Sequence, residues 1–260
     1  MEVLRSIIGL LPEIFSSRKR LIAMPLHFVF LVLEDHPYGR EMLRILLEKD
    51  LVPSMIIQEV SDVGDEERQK FLTRMSGQPL PPRLTQLVSG RKIPVYCVSN
   101  HNDDTCKDLL ADDKPDVLVL GGTRIIKPNI LEIPRQSTVN AHPGLLPWLR
   151  GSASAGWALY KDMAQGATAH FVSPGIDLGD IIVSRELPVF RGDTYESINS
   201  RIAILAGELM AEAVTALQNG NVPRSPQDPE VGETFRTIPE DLLEEGKQRL
   251  AQGQYSHFAD

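Results

Sequence analysis

An asparagine and a histidine stand two residues apart in this chain, Asn140 and His142, between an apolar run and a turn rich in proline and glycine. Residues two apart in a β-strand point to the same side of the sheet, so we expect the amide and the imidazole to face one cleft. An amide can donate to a developing oxyanion, and an imidazole can move a proton near neutral pH. Asp177, in a second segment, completes a group suited to acyl transfer to an amine.

The two segments together resemble the 10-formyltetrahydrofolate-dependent formyltransferases. The family signature reads roughly Asn-x-His-x-x-Leu-Leu-Pro, with Arg-Gly shortly after it in many members and a His…Asp-x-Gly stretch further along. This chain carries the matching residues in the same order: Asn140, His142, Leu145, Leu146, Pro147, Arg150, Gly151, His170, Asp177 and Gly179. The resemblance runs from about residue 116 to residue 218 and is weaker upstream. It is specific because three polar positions match within a shared frame.

The resemblance implies a role for each member of the polar group. Asn140 would donate to the oxyanion, His142 would transfer the proton, and Asp177 would be the electrostatic partner of the histidine, with no metal and no covalent intermediate. Each residue alone has a structural alternative: a loop or cap asparagine, a satisfied core histidine and a turn-forming aspartate. Their order and frame favour the functional interpretation. We interpret His170 as a buried structural histidine.

The same resemblance places a folate site on two loops, with 10-formyltetrahydrofolate as the formyl donor. The segment 121–126 matches a family loop whose backbone binds the pteridine and whose apolar side chains line its slot. The predicted contacts are Gly122, Thr123, Arg124, Ile125 and Ile126, with Ser173, Pro174 and Gly175 in the opposite wall. The alternative for the two isoleucines is an ordinary place in the core.

The resemblance implies an enzyme that formylates the amine of a small molecule, and the residues narrow the choice of amine. The acidic pair Glu34-Asp35 would repel a phosphate where the glycinamide-ribonucleotide branch has a Gly/Ser/Asn-rich loop. An acidic C-terminal segment is a poor surface for tRNA. We expect neither the C-terminal barrel of the initiator-tRNA branch nor the N-terminal regulatory domain of the hydrolases. A nucleotide-linked amino sugar fits best. The alternatives are an amino acid, a natural-product amine, or a folate-binding protein without turnover.

Three further residues are predicted to contact the acceptor. Asn102 and Asp103 follow a predicted strand, at the edge where ligands bind in open α/β sheets. Arg150 would contact the substrate or shape its pocket, since a buried guanidinium group has to find several hydrogen-bond acceptors.

The composition limits the classes of partner. A formal net charge of −8 over 260 residues argues against nucleic acid or an anionic membrane as the main partner. The two cysteines, Cys97 and Cys106, are too few for a disulfide framework and too isolated for a zinc site. We therefore expect a cytoplasmic protein that acts on small molecules without a metal. A homodimer is left open.

Apolar runs that alternate with helical patterns predict the elements that position these residues. Nearly continuous apolar strands at 26–33 and 116–120, separated by helices, indicate an α/β fold with a Rossmann-like, mostly parallel sheet covered on both faces. The turn from Glu34 to Arg40 lacks the Gly-x-Gly-x-x-Gly of a dinucleotide-binding enzyme. Three parts are predicted: an amphipathic helical extension at 1–22, a catalytic domain at 23–220 and a C-terminal extension at 221–260.

Overall fold

A seven-stranded sheet forms the centre of the computed structural model, which describes residues 25–260. The strands are β1 (Phe28–Leu33), β2 (Met55–Glu59), β3 (Val95–Val98), β4 (Val117–Leu120), β5 (Ser137–His142), β6 (Leu149–Gly151), β7 (Gly166–Phe171), β8 (Ile181–Glu186) and β9 (Glu233–Phe235). The helices in this range are α1 (Pro37–Glu48), α2 (Asp62–Arg74), α3 (Leu84–Leu87), α4 (Asp104–Asp113), α5 (Pro128–Leu131), α6 (Ser154–Tyr160), α7 (Tyr195–Gln218) and α8 (Glu240–Ala251). The order in the large sheet is β3-β2-β1-β4-β5-β7-β8.

The predicted mostly parallel sheet is confirmed. The strands β3, β2, β1, β4 and β5 run parallel, while β7 and β8 extend the sheet in antiparallel pairing at one edge. Strand β1 reads FVFLVL and β4 reads VLVL, and every residue of both is buried. Strands that are apolar on both faces require cover on both sides, and helices supply it here.

Each face of the sheet carries its own apolar core. The first face packs against α1 and α7 and includes Val139 and Ala141 of β5. The second face packs against α4 and α5, for example through Leu110. Because neighbouring residues of a strand point to opposite faces, the same strand turns Asn140 and His142 toward the second face.

The long helix α7 covers the first face. Thr194 caps its N-terminus, with the side-chain oxygen accepting from the N–H of Ser197 at 3.2 Å. Gly220 follows the helix with a φ of 65°, in the left-handed region that favours glycine. Apolar residues three or four positions apart along the helix are all buried: Ile198, Ile202, Leu205, Leu209 and Ala213.

The chain after α7 returns to the loops that follow β5. Strand β9 pairs in parallel with β6, and α8 packs against α6. Within residues 25–260, no helix combines the length and the apolar character that crossing a membrane requires. The amphipathic helix predicted at 1–22 lies outside the described residues, and the division into three parts stays a prediction.

Candidate active site

Strand β5 presents Asn140 and His142 to the same side, and strand β7 completes the row. The antiparallel register pairs Asn140 with His170 and His142 with Thr168. On the other side, the parallel register places Asn140 beside Leu120, the last residue of β4. The two predicted residues therefore lie at the carboxyl edge of the parallel strands, where ligands bind in open α/β folds.

The loop between β7 and β8 brings Asp177 to this row. Its Oδ2 accepts a hydrogen bond from the backbone N–H of Gly151 at 2.8 Å and lies 3.3 Å from Nδ1 of His142. Its Oδ1 lies 3.5 Å from Nε2 of His170. Asp177 has a φ of 53°, in the left-handed region, which aspartate adopts more readily than most side chains. The asparagine, histidine and aspartate singled out in the sequence thus meet in space.

The ring of His142 is buried and both of its nitrogens have neighbours. Its Nε2 lies 2.6 Å from the carbonyl oxygen of Leu149, to which it can donate, and 3.1 Å from the hydroxyl of Ser154. The surroundings are tight, since a Cβ added at Gly144 would lie 2.8 Å from this Nε2. The ring is therefore held in one orientation, with Nδ1 turned toward the carboxylate of Asp177.

Burial and charge oppose each other in this group. Burial lowers the pKa of His142 below its ordinary value, the carboxylate of Asp177 acts to raise it, and His170 lowers it further. Burial acts to raise the pKa of Asp177, but the two histidines and the Gly151 N–H outweigh it, so this pKa lies well below its ordinary range. Near neutral pH the carboxylate is ionised, and the histidine is neutral and able to accept a proton.

His170 lies inside this group, although its sequence position suggested a structural histidine. Its Nδ1 donates to the carbonyl oxygen of Phe171 at 2.8 Å, which leaves Nε2 to accept from Nδ2 of Asn140 at 3.2 Å. The same Nε2 is near Asp177. His170 is buried, whereas Asn140 is partly exposed. The contacts therefore make His170 an orienting neighbour of the amide. The sequence signal that could have indicated this role was the place of His170 in the His…Asp-x-Gly stretch.

The predicted folate loop, residues 121–126, is anchored to β2 through Arg124. Nε of Arg124 donates to Oε1 of Glu59 at 2.8 Å, and the two side chains form an ion pair. Glu59 is fully buried. It also accepts from the backbone N–H of His101 at 2.8 Å and from the hydroxyl of Ser61 at 2.7 Å. Sequence reasoning did not find this anchor, because Glu59 precedes the loop by a large part of the domain.

Asn102 holds the far end of the same loop. Its Nδ2 donates to the carbonyl oxygen of Ile125 at 3.0 Å, and its Oδ1 accepts from the backbone N–H of Lys127 at 2.7 Å. Asp103 caps α4, with Oδ1 accepting from the N–H of Cys106 at 2.9 Å. Both side chains are engaged within the protein. Their predicted contact with the acceptor stays a prediction.

The two isoleucines of the loop differ in exposure. Ile125 is 77% exposed, while Ile126 is buried in the core of the second face. The alternative of an ordinary place in the core therefore holds for Ile126 and not for Ile125. The opposite wall, residues 173–175, forms a narrow turn in which the N–H of Gly175 donates to the carbonyl oxygen of Ser173 at 2.8 Å.

Arg150 is buried and forms hydrogen bonds with the C-terminal segment. Its guanidinium group donates to a hydroxyl and to several backbone carbonyl oxygens: Thr234 Oγ1 and the carbonyls of Pro147, Pro229, Val231 and Gly232. The pocket-shaping role is the one that these contacts support, and direct contact with the acceptor stays a prediction.

A family model described as formyl transferase matches residues 63–214, more than half of the chain. The chain belongs to the formyl transferase family. The matched region contains the whole polar group around Asp177 and the loop at 121–126.

Known relatives of this chain extend the comparison. The methionyl-tRNA formyltransferase of Pelotomaculum thermopropionicum is 32% identical over 149 residues, which is 56% of this chain and 48% of the relative. The chain therefore spans about half the length of the curated relatives it matches. A sugar N-formyltransferase from Shewanella sp has a TM-score of 0.59 at 15% identity, covering 86% of this chain and 87% of its own. The formyltransferase PseJ from Anoxybacillus kamchatkensis, in complex with UDP-4,6-dideoxy-4-formamido-L-AltNAc and tetrahydrofolate, has a TM-score of 0.54 at 22% identity, covering 88% and 94%. These likenesses show the fold.

That the loop at 121–126 holds a reduced folate stays a prediction, and two features of the loop agree with it. Among residues 25–260, the backbone N–H groups of this loop beyond Gly121 donate to no other part of the chain. The side chain of Ile125 is exposed beside them. A heterocycle with a hydrogen-bonding edge and flat apolar faces would satisfy both features. In the part of the chain that the structure describes, no three His, Cys, Asp or Glu side chains are grouped to hold a metal ion.

Proposed function

We propose that this protein transfers the formyl group of 10-formyltetrahydrofolate to the amine of a nucleotide-linked amino sugar. The observation that carries the proposal is the position of the Asp177 carboxylate between His142 and His170, beside the partly exposed Asn140, in a formyl transferase. We place the reaction in the cytoplasm, with small molecules as its partners and no metal.

In the proposed mechanism the cosubstrate, when bound, supplies an activated formyl group. Asn140 donates from Nδ2 to the oxygen of that group, and His170 keeps the amide oriented. The neutral ring of His142 accepts the proton of the attacking amine at Nδ1, where the carboxylate of Asp177 stabilises the resulting imidazolium. As the new C–N bond forms and the old one breaks, His142 returns a proton to the departing nitrogen.

The choice of acceptor rests on the similarity to PseJ, whose structure contains a UDP-linked formamido sugar and tetrahydrofolate. This chain covers 94% of that protein. The half-exposed indole of Trp148 lies in the turn after His142, where it could stack on a base. An amino acid or a natural-product amine would be formylated by the same chemistry. Neither the similarity to PseJ nor the exposed Trp148 favours these acceptors.

The curated relatives favour a second candidate, since the first of them are methionyl-tRNA formyltransferases. In this alternative the acceptor amine would be that of a methionyl-tRNA. A net charge of −8 works against it, because tRNA is a polyanion and its binding draws on positive surface.

The test is formyl transfer by the purified protein from 10-formyltetrahydrofolate to a UDP-linked 4-amino sugar, to free amino acids and to methionyl-tRNA, each assayed alone. We expect transfer to the amino sugar and its loss in Asn140→Ala. Transfer only to methionyl-tRNA would establish the second candidate. If a reduced folate raises the melting temperature and no amine is formylated, the protein is a folate-binding protein without turnover and the proposal is wrong.

A further inference from the structure

The segment between α7 and α8 passes over both of the loops that hold the ring of His142. We call residues 225–235 the strap, and its last three residues form β9. The region that the family model matches ends at residue 214, so the strap lies outside it. The contacts of the strap with the catalytic group are therefore not accounted for by the family match.

The first end of the strap is fixed to the loop that carries Asp177. Ser225 and Ile181 exchange two backbone hydrogen bonds, each 2.9 Å long. Two residues further along, Nε2 of Gln227 donates to the carbonyl oxygen of Asp177 at 2.9 Å and to that of Gly179 at 2.6 Å. One side chain thus holds the turn in which Asp177 has its left-handed backbone conformation.

The other end of the strap is fixed to the segment that follows His142. Strand β9 pairs in parallel with β6, and the N–H of Glu233 donates to the carbonyl oxygen of Trp148 at 3.2 Å. Gly232 has a φ of 78° and lies so close to the carbonyl group of Pro147 that a Cβ has no room. This end therefore rests directly on the backbone of the segment.

The two ends hold the two groups that contact the ring nitrogens of His142. The carbonyl oxygen of Leu149, in β6, lies 2.6 Å from Nε2. The carboxylate of Asp177 lies 3.3 Å from Nδ1 and accepts from the N–H of Gly151, also in β6. Through β6 and the Asp177 turn, the strap connects the surroundings of both nitrogens.

The amide of Gln227 is used for donation alone. Its Oε1 is buried, and within residues 25–260 it has no hydrogen-bond partner. The reversed amide would set Oε1 against two carbonyl oxygens, so the contacts fix the orientation of the group. A buried acceptor without a donor costs free energy. The gain that accompanies this cost is the hold on the two carbonyl groups of the turn.

We propose that Gln227 is a positioning residue that acts through Asp177, because its amide keeps the turn in the conformation that places the carboxylate beside His142. This inference rests on the proposed function, in which that carboxylate stabilises the imidazolium ring. Loss of the amide should let the carboxylate move away from Nδ1 and weaken its effect on the ring.

The expected consequence is a change in the pH dependence. The titratable groups that face His142 are Asp177, which acts to raise the pKa of His142, and His170 on β7, which lowers it. Tyr38 on α1 is near Asp177 but stays neutral, because burial raises its pKa. A more distant carboxylate should therefore lower the pKa of His142 and move the acid limb of the pH–rate profile to lower pH.

The test is a double-mutant cycle of Gln227→Met and Asp177→Asn on formyl transfer. Methionine keeps an unbranched side chain of similar length but has no donor. We expect Gln227→Met to lower kcat about tenfold, with a much smaller change in the KM for the formyl donor. Combined with Asp177→Asn it should cost no more than about a further twofold, because the carboxylate through which it acts is already absent. The control is Gln248→Met, at an exposed position of α8, with kcat within about twofold of wild type.

Two results would overturn the positioning role. One is an equal loss from Gln227→Met in the wild-type and Asp177→Asn backgrounds, which would mean general support of the fold. The other is a lower kcat with an unchanged pH profile. If Gln227→Met does not fold, Gln227→Asn, which keeps the amide on a shorter side chain, is judged by the same two readouts.

A titration of the histidine rings by NMR, without substrates, separates this inference from the proposed function. The signal of His142 is the one that His142→Ala removes. We expect a lower pKa of His142 in Gln227→Met and an unchanged one in Gln248→Met. Formyl transfer with an unchanged pKa of His142 in Gln227→Met removes the positioning role and leaves the function. A lowered pKa without transfer to any amine removes the function and leaves the hold of Gln227 on Asp177.

Discussion

Two buried clusters, each with a carboxylate beside a histidine, lie on the same face of the sheet. They differ in the groups that surround the carboxylate. The catalytic cluster consists of Asn140, His142, His170 and Asp177. The support cluster consists of Glu59, His101 and Arg124. The carboxylate of the support cluster is fully buried, neutralised by arginine and bonded to a backbone N–H and a hydroxyl. Its histidine is fully buried as well.

The catalytic cluster has a different balance of charge. In the part of the chain that the structure describes, the ion-pair partners of Asp177 are histidines alone, and its side chain is 14% exposed. Neither histidine carries a permanent charge, so protonation of the cluster can change during a reaction. In the support cluster the permanent charge of Arg124 fixes the carboxylate. We therefore propose that the same residue types serve proton transfer in the catalytic cluster and loop positioning in the support cluster.

The largest effect should come from the catalytic cluster. We expect Asn140→Ala or His142→Ala to lower turnover by about a hundred- to a thousandfold, because each removes a group proposed to stabilise the transition state. The protein should still fold, as circular dichroism would show. His101→Asn in the support cluster is the matched control and should cost less than about tenfold. A loss below about tenfold for both Asn140→Ala and His142→Ala would contradict the assignment of catalytic roles to these residues.

Asp177→Asn should lower turnover and change its pH dependence while folate binding is kept. The carboxylate raises the pKa of His142, so the amide should let this pKa fall, and the acid limb of the pH–rate profile should move to lower pH. The pKa of Asp177 is held below its ordinary 3.8. Its stabilising contribution is therefore present above that pH and lost as the pH falls further. Wild-type rates across the pH range would make Asp177 a structural residue.

Substitutions in the support cluster should affect binding of the formyl donor more than the chemical step. We expect Glu59→Gln to raise the KM for the formyl donor about tenfold with a much smaller change in kcat, because Arg124 loses the charge that anchors the loop at 121–126. Glu59→Asp, which keeps the charge on a shorter side chain, should restore part of the affinity. Equal loss in kcat and kcat/KM for Glu59→Gln would mean that the support cluster takes part in the chemical step, and would contradict its distinction from the catalytic cluster.

The smallest effect should come from Ser154→Ala. The variant removes the hydroxyl that lies 3.1 Å from Nε2 of His142, while the carbonyl oxygen of Leu149 still accepts from the same nitrogen. One neutral hydrogen bond beside a retained stronger one should be worth about threefold in turnover. A loss comparable to that of His142→Ala would show that the hydroxyl, and not the ring orientation, is decisive.

The sequence was sufficient to identify Asn140, His142 and Asp177 as a group because their types, order and frame match the signature of the family that the chain resembles. It was insufficient for His170, whose contact with Asn140 depends on the antiparallel register of β5 and β7. That register follows from how the chain returns to the sheet, which no local pattern specifies. The parallel core was predictable from continuous apolar strands, since these require cover on both faces.

The sequence also could not distinguish Ile125 from Ile126. The two stand side by side in a loop, where no strand or helix period assigns a face, and only the structure shows one exposed and the other buried. Likewise, the pairing of Arg124 with Glu59 joins the ends of two strands separated by β1 in the sheet. Contacts of this kind follow from the strand order, which the alternation of strands and helices leaves undetermined.

The most direct test of the central claim is a double-mutant cycle on formyl transfer, measured in single turnover with Asn140→Ala, His142→Ala and the double variant. Residues that act as one unit lose most of their effect with the first substitution. We therefore predict that the double variant is no more than about tenfold slower than the slower single variant, while folate affinity stays near wild type. Losses that multiply would mean that Asn140 and His142 act independently, and would contradict the assignment of a single catalytic unit.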